Sequence, residues 1–188
     1  MSKLEVDAIE PQSGTTLTLG ASGDTINLAS GATAGFGKVL QVVQTIKTDT
    51  FTSTAFNTWT DITGFNVSIT PSSASNKIYV IANVNGNAGN NSHIKLVRDS
   101  TDICVGASAG SRKQASSGGV LGGASADTIN NNSLDFLDSP NTTSSITYKI
   151  QFWLHNSQTF YFNRSTNDTD ATYSARVAST ITVMEIAG

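Results

Sequence analysis

The alternation of apolar and polar residues in residues 145–155 constrains the fold of this chain more than any other feature. Every second residue there is apolar and would share one face of a strand: Ile146, Tyr148, Ile150, Phe152 and Leu154. The residues between them form the opposite face: Thr147, Lys149, Gln151, Trp153 and His155. A period of two sustained over this length is typical of a half-buried β-strand.

The same alternation recurs between clusters of Gly, Asn, Ser and Asp, which favour turns. In residues 76–85 the predicted inner face holds Ile78, Val80, Ala82 and Val84. In residues 58–70 one face holds Trp59, Phe65, Val67 and Ile69. We predict ten strands: 38–46, 58–70, 76–85, 93–98, 102–106, 115–121, 133–137, 145–155, 159–164 and 174–186.

So many short strands favour an all-β antiparallel sandwich, and a jelly roll is the most economical closure of its two sheets. Ser, Thr, Asn and Gly make up 81 of the 188 residues, and no long stretch shows the 3.6-residue period of a helix. The polar residues are therefore assigned to turns and to the outward faces of strands.

Charge excludes several classes of partner. Only 13% of the residues are charged and the net charge is −3, so the clustered Lys and Arg of a nucleic-acid binder or a polybasic membrane anchor are missing. No apolar run approaches the ~20 residues of a membrane span, and no signal peptide is visible. We expect neither nucleic-acid binding nor membrane insertion. We expect the protein to be synthesised in a cytoplasm.

Cys104, the one cysteine, is expected to be a small buried thiol.

Residues 13–33 contain a short repeat. The stretch SGTTLTL (13–19) is followed nine residues later by SGDTINL (22–28), and SGAT (30–33) begins a third copy. Units this small bury their apolar residues only against neighbours, and with so few copies the neighbours are expected to be other chains. We therefore predict a trimeric β-prism stalk of three wound chains over 13–37, followed by a homotrimeric head over 38–188. Its core would hold Leu17, Leu19, Ile26 and Leu28.

Strand parity orients the predicted head. If strand 38–46 runs away from the stalk and each strand reverses the previous one, five loops face away from the stalk: 47–57, 86–92, 107–114, 138–144 and 165–173. These loops carry amide, hydroxyl and charged groups beside an aromatic residue, which suit a saccharide or a surface protein. The candidate receptor-binding residues are Asn87, Asn90, Asn91, Arg112, Lys113, Asn141, Asn167, Asp168, Asp170 and Tyr173.

Three segments resemble virion fibre proteins of phages that infect marine bacteria and cyanobacteria. They are MSKLEVDAIEPQSGTTLTLGASGDTINLASGATAG (1–35), WTDITGFNVSITPSSASNKIYVIANV (59–84) and ASTITVMEIAG (178–188). The resemblance implies a homotrimeric fibre whose N-terminus docks on other virion proteins. It also implies a projecting jelly-roll head similar to the tumour-necrosis-factor and C1q type. Residues 1–12 would be the docking segment, with Leu4, Val6 and Ile9 as its apolar contacts.

The function expected on this basis is attachment to a host surface glycan or protein. The fibre would be assembled in the host bacterial cytoplasm and exposed on the particle. The alternative is a capsid-decorating or adaptor fibre without strong receptor activity. Trimeric display would raise avidity even where each site is weak.

An enzyme is not expected, although Gly106-Ala107-Ser108-Ala109-Gly110 matches the G-x-S-x-G motif of α/β-hydrolases. That motif needs a helix after the serine, and residues 111–119 have no apolar helical face. No cofactor or metal is expected. The oxygen ligands in 167–170 could hold Ca²⁺, but they lack the glycine and the distal glutamate of an EF-hand loop.

Overall fold

The computed structural model describes residues 38–88, 91–118 and 125–188. The predicted docking residues Leu4, Val6 and Ile9 lie outside the described residues. So do Asn90 and the predicted stalk core, which comprises Leu17, Leu19, Ile26 and Leu28. The described residues belong to one unit, Gly37–Gly188.

Eleven strands form in this part of the chain. They are β1 (Val39–Lys47), β2 (Phe51–Ser53), β3 (Thr60–Ile69), β4 (Lys77–Asn87), β5 (Ser92–Arg98), β6 (Thr101–Ile103), β7 (Ser117–Gly118), β8 (Asn130–Asp138), β9 (Ile146–Leu154), β10 (Phe160–Phe162) and β11 (Ser179–Ile186). Each of the ten predicted strands overlaps one of them, whereas β2 was not predicted.

The strands form two antiparallel sheets. Sheet 1 has the order β1-β11-β4-β10-β2, with β8 also paired to β4, and sheet 2 has the order β3-β9-β5-β6, with β7 also paired to β5. No helix occurs in the described residues. The expectation of an all-β antiparallel sandwich is confirmed. No helix long and apolar enough to cross a membrane is found in the part of the chain that the structure describes.

Three pairs of strands are collinear within their sheets: β1 with β2, β10 with β11, and β6 with β7. β1 and β2 pair with β11 and β10 in turn, through Lys47↔Ser179 and Phe51↔Phe162. Likewise β6 and β7 both pair with β5. If each such pair is counted as one interrupted strand, the chain has eight strands, in the order 1-8-3-6 in sheet 1 and 2-7-4-5 in sheet 2.

Asn163 fills the gap between β10 and β11. It is fully buried, its Nδ2 donates to the carbonyl oxygens of Lys47 (2.7 Å) and Asp49 (3.0 Å), and its Oδ1 accepts from Ser179 Oγ (2.6 Å). Its φ of 60° lies in the left-handed region, which asparagine tolerates better than most residues. These contacts hold both interrupted strands in line.

The core lies between the sheets and follows the predicted alternation. The inner faces of β4 and β9 are buried, and the Phe152 and Phe160 rings stack with centroids 4.5 Å apart. Trp59 is an exception, because β3 carries three extra residues between Asp61 and Asn66 relative to β9. An odd insertion reverses the face of every residue beyond it. Trp59 therefore lies on the outer face, where Lys95 Nζ is 4.6 Å from its ring centroid.

The two ends of the sandwich carry different loops. At the Lys38 end, Ala187 N donates to Lys38 O, and the loops 70–76, 99–100 and 139–145 lie there. At the opposite end, here called the far end, the loops after β2, β4 and β9 meet.

The predicted placement of loop 138–144, with Asn141, at the far end is wrong. β6 and β7 run in the same direction along β5, so strand direction does not reverse between them. β10 and β11 likewise run in the same direction along β4. This second missing reversal cancels the first, so β11 runs towards the Lys38 end, as predicted.

Candidate functional site

Three aromatic rings stack on the outer face of sheet 2 at the far end. The β5–β9 register pairs His93 with Trp153, and their ring centroids are 5.4 Å apart with an interplanar angle of 19°. His155 follows β9 on the same face and stacks on Trp153 at 5.8 Å, again at 19°. We call these three side chains the aromatic stack.

The loop between β6 and β7 covers part of this stack. It is closed by hydrogen bonds from Gly106 N to Ala115 O (3.1 Å) and from Gln114 Nε2 to Gly106 O (2.9 Å). Lys113 Nζ lies 5.4 Å from the centroid of the Trp153 ring, a favourable cation–π distance. Trp153 is only 6% exposed as a result, although it lies outside the main core.

A cleft of about 510 Å³ opens between this loop and the ends of the strands. Two asparagines with left-handed φ angles, Asn57 (55°) and Asn91 (64°), lie where the chain turns at its edge. Asn57 N donates to Leu154 O (2.8 Å), and Asn91 O accepts from His155 N (3.3 Å). The cleft is lined by Asn57, Asn91, His93, Ser111, Arg112, Lys113, Trp153 and His155.

The cleft has positive charge and no acidic lining residue. Burial lowers the pKa of His93, which favours its neutral form at pH 7. Arg112 and Lys113 supply positive charge to the cleft, and neither makes an ion pair with a carboxylate of the described residues. In contrast, six other cations in the same part of the chain do pair with carboxylates: Lys47, Lys95, Arg98, Lys149, Arg164 and Arg176.

Of the predicted receptor-binding residues, the cleft brings together Asn91, Arg112 and Lys113. Asn87 is buried, and its Nδ2 donates to Thr128 O (2.7 Å) and Ser125 O (3.3 Å), so it is not free to contact a receptor. Asn141 lies at the opposite end of the sandwich.

The remaining candidates lie in the segment between β10 and β11, away from the cleft. Tyr173 is 71% exposed, and Asn167 Nδ2 donates to Asp127 Oδ1 (2.9 Å). Asp170 is exposed, and together with Asp168 it lines a second depression of about 340 Å³.

Asp168 is neutralised by two arginines. Arg176 Nε donates to its Oδ1 at 2.6 Å, and Arg164 Nη1 lies 3.2 Å from its Oδ2. In the described ranges, no group of three or more His, Cys, Asp or Glu side chains could hold a metal ion. The oxygen-rich stretch 167–170 offers a cation two carboxylates, of which Asp168 is already paired with arginines and Asp170 is exposed.

Ser108 of the G-x-S-x-G match is exposed in an irregular loop, and no helix follows it in the described residues. The strand–turn–helix geometry of a nucleophile elbow is therefore not formed there. Cys104 is a free, partly buried cysteine, and burial raises its thiol pKa.

The site residues predicted from the sequence do not include His93, Trp153, His155 or Asn57. The alternation in β9 already placed Trp153 and His155 on one face. The pairing of His93 with Trp153 depends on the β5–β9 register, which joins residues 60 positions apart and leaves no local signal.

No protein-family model matches the chain, and no curated protein matches it in sequence. Among solved structures, a chain in the structure of infectious bursal disease virus Gx strain is similar, with 12% identity and a TM-score of 0.34. The match covers 87% of this chain and 44% of that chain, so this chain spans less than half of its length. At this TM-score the likeness carries no argument about function.

Proposed function

We propose that the chain is a structural protein of a virion, a bacteriophage fibre whose sandwich forms a homotrimeric jelly-roll head that attaches to the host surface. The strand order 1-8-3-6 and 2-7-4-5 supports the jelly roll, because it is the order made by two Greek keys wound together. The resemblance of the N-terminal, central and C-terminal segments to phage fibres supports the virion role.

One observation carries the proposed assembly: near the Lys38 end, the outer face of sheet 1 is apolar and at least partly exposed. A row of four side chains crosses the sheet through the pairs Val42↔Met184, Met184↔Tyr79 and Tyr79↔Leu137. Val42 is 56% exposed and Leu137 is 54% exposed. We call the surface of this row and its neighbours the apolar face: Leu40, Val42, Tyr79, Ile81, Leu137, Met184 and Ile186.

A contiguous apolar surface of this kind marks an interaction site, and further copies of the same chain are its proposed occupants. Residues 1–37, with their repeat, join the sandwich at Lys38, directly before the β1 residues of this face. Chains wound together through that repeat would hold their apolar faces close to one another. Lys77 and Asp135 are the charged residues at the outward positions of these four strands, so like copies meet with little repulsion.

The cleft suits attachment because it lies on the outer face of the other sheet and at the far end. Covering the apolar face would therefore leave the cleft open. Three copies on one head would present three clefts, and multivalent contact raises avidity without any new chemistry.

The test of assembly is the mass of the full chain in solution, measured by light scattering after size exclusion. We expect a trimer, and we expect the variant Val42→Asp/Leu137→Asp to shift it towards monomer. Phe56→Asp is the matched control, because Phe56 is 45% exposed but lies outside the apolar face. A monomeric full chain, or equal dissociation of the control variant, would overturn the assembly.

The test of attachment is adsorption of the isolated full chain to host cells. We expect saturable adsorption that is reduced by Tyr173→Ala or by changes in the cleft. A trimer that shows no adsorption, and whose removal leaves infection unimpaired, would favour a capsid-decorating or adaptor role instead.

A further inference from the structure

We infer that the cleft is a binding site for an acidic saccharide, a sugar chain that carries carboxylate groups. The inference rests on the proposed attachment function, and it names the class of receptor that the site would take. Its basis is the chemistry of the lining, which combines two cations without an ion pair, polar uncharged groups and an exposed ring.

The charge of the cleft selects an anion. Arg112 and Lys113 are adjacent and exposed, and the described contacts of the Arg112 guanidinium are limited to a long bond of 3.4 Å to Ala109 O. The nearby carboxylates of Asp61 and Asp102 are held by Lys149 and Lys95 at 2.8 and 2.7 Å. In sequence, the segments 89–90 and 119–124 contain no acidic residue. A carboxylate would meet guanidinium and ammonium donors without displacing an internal ion pair.

The remaining lining suits a sugar ring better than an acidic peptide. Asn57, Asn91 and Ser111 supply amide and hydroxyl groups, which both donate to and accept from sugar hydroxyls. His155 is exposed and has one ring face stacked on Trp153, which leaves the other face for the C–H groups of a sugar. A peptide would need apolar pockets for its side chains, whereas the largest ring of the cleft, Trp153, is almost fully covered.

The aromatic stack makes the cleft rigid. Gly118 lies opposite His93, where a Cβ atom would come within 2.9 Å of His93 Nδ1, so β7 packs directly against the ring. A ligand would therefore meet preorganised ring positions and lose little binding energy to ordering the site.

The experiment is a titration of the full-length protein with oligogalacturonate, followed by saturation-transfer NMR. The fully methyl-esterified oligomer and an oligoglutamate of equal charge are the comparison probes. We expect the acid to bind at least about tenfold more tightly than the ester, because one charge-assisted hydrogen bond is worth that factor or more. We also expect Arg112→Ala/Lys113→Ala to lose at least about tenfold in affinity for the acid. Lys38→Ala, which removes an exposed lysine at the opposite end of the sandwich, should bind as the wild type does.

Each of four results would overturn the inference. They are absence of binding to the acid, equal binding of acid and ester, unchanged affinity in the Arg112/Lys113 variant, and equal binding of oligoglutamate. The last would show that negative charge alone, and not the sugar ring, selects the ligand.

Adsorption of the same variants to host cells separates this inference from the attachment function. If the Arg112→Ala/Lys113→Ala variant still adsorbs to cells, attachment is supported and the acidic saccharide is not its receptor. If the protein binds oligogalacturonate but does not adsorb to cells, the saccharide site is supported and the attachment function is contradicted.

Discussion

Glu185 is a buried carboxylate held by hydrogen bonds from two segments that close the Lys38 end. Its side chain is fully buried, and no cation contacts it among the described residues. Gln41 Nε2 donates to Oε2 (2.6 Å), whereas Ser72 N (2.6 Å), Ser72 Oγ (2.8 Å) and Asn76 Nδ2 (2.5 Å) donate to Oε1. The carboxylate thereby ties β11 to β1 and to the loop between β3 and β4.

The pKa of Glu185 shows how much its ionised carboxylate stabilises the fold. Burial by itself would raise it, but the donated hydrogen bonds from Asn76, Gln41 and Ser72 outweigh burial and lower the pKa from 4.5 to about 2. At about 1.4 kcal/mol per pH unit, this difference corresponds to about 3 kcal/mol of stability from the ionised form. Because the pKa is lower in the folded than in the unfolded chain, this stability is fully present above about pH 4.5. It is lost as the pH falls towards 2.

The variant Glu185→Gln keeps the shape of the side chain and removes its charge. We expect it to lower the free energy of unfolding by about 3 kcal/mol at pH 7, with the difference from wild type shrinking towards zero near pH 2. Urea unfolding followed by circular dichroism at several pH values measures this directly. Asp170→Asn is the control, because this exposed carboxylate should change stability by less than about 0.5 kcal/mol. A pH-independent difference, or none at pH 7, would refute the account of Glu185.

Four further substitutions can be measured in the same unfolding assay. Asp138 joins the two sheets, because Arg98 Nη1 and Tyr148 Oη each donate to its carboxylate at 2.7 Å. Asp138→Ala should lower the free energy of unfolding by about 3 kcal/mol, and Tyr148→Phe by only about 1 kcal/mol. Equal costs would contradict this division. Gly86→Ala should cost at least about 1 kcal/mol, because its Cβ would lie 2.5 Å from a backbone oxygen of β10. Asn163→Ala should cost about 2 kcal/mol, and a smaller loss than in Gly86→Ala would show that its three hydrogen bonds are weak.

The strands were predictable because alternation is a local property of an extended backbone. β4 and β9 have the predicted inner faces, and each predicted strand overlaps an observed one. β2 was not predicted because Phe51 is the one apolar residue in the polar run 48–54, so no alternation marks it. In β3 the alternation is interrupted near Gly64, whose φ of 74° is in the left-handed region, and the face of Trp59 was assigned wrongly for that reason.

The candidate site was predictable only in part. The turn-rich composition correctly indicated that Asn91, Arg112 and Lys113 lie in loops, and it equally indicated Asn87 and Asn141. Burial against residues 125–128 removes Asn87 from the surface, and strand direction places Asn141 at the Lys38 end. Neither fact has a local signature in the sequence.

Residue type and spacing are enough to predict which segments of this chain are strands and which side chains can share a face. Strand order, register and direction depend on pairings between distant residues, because hydrogen bonds across a sheet join backbone groups of almost any side chain. His93 meets Trp153, and Glu185 meets Ser72 and Asn76, because the folded chain brings those strands and loops together. The local pattern thus accounts for the sandwich, and long-range pairing accounts for the cleft, the buried carboxylate and the apolar face.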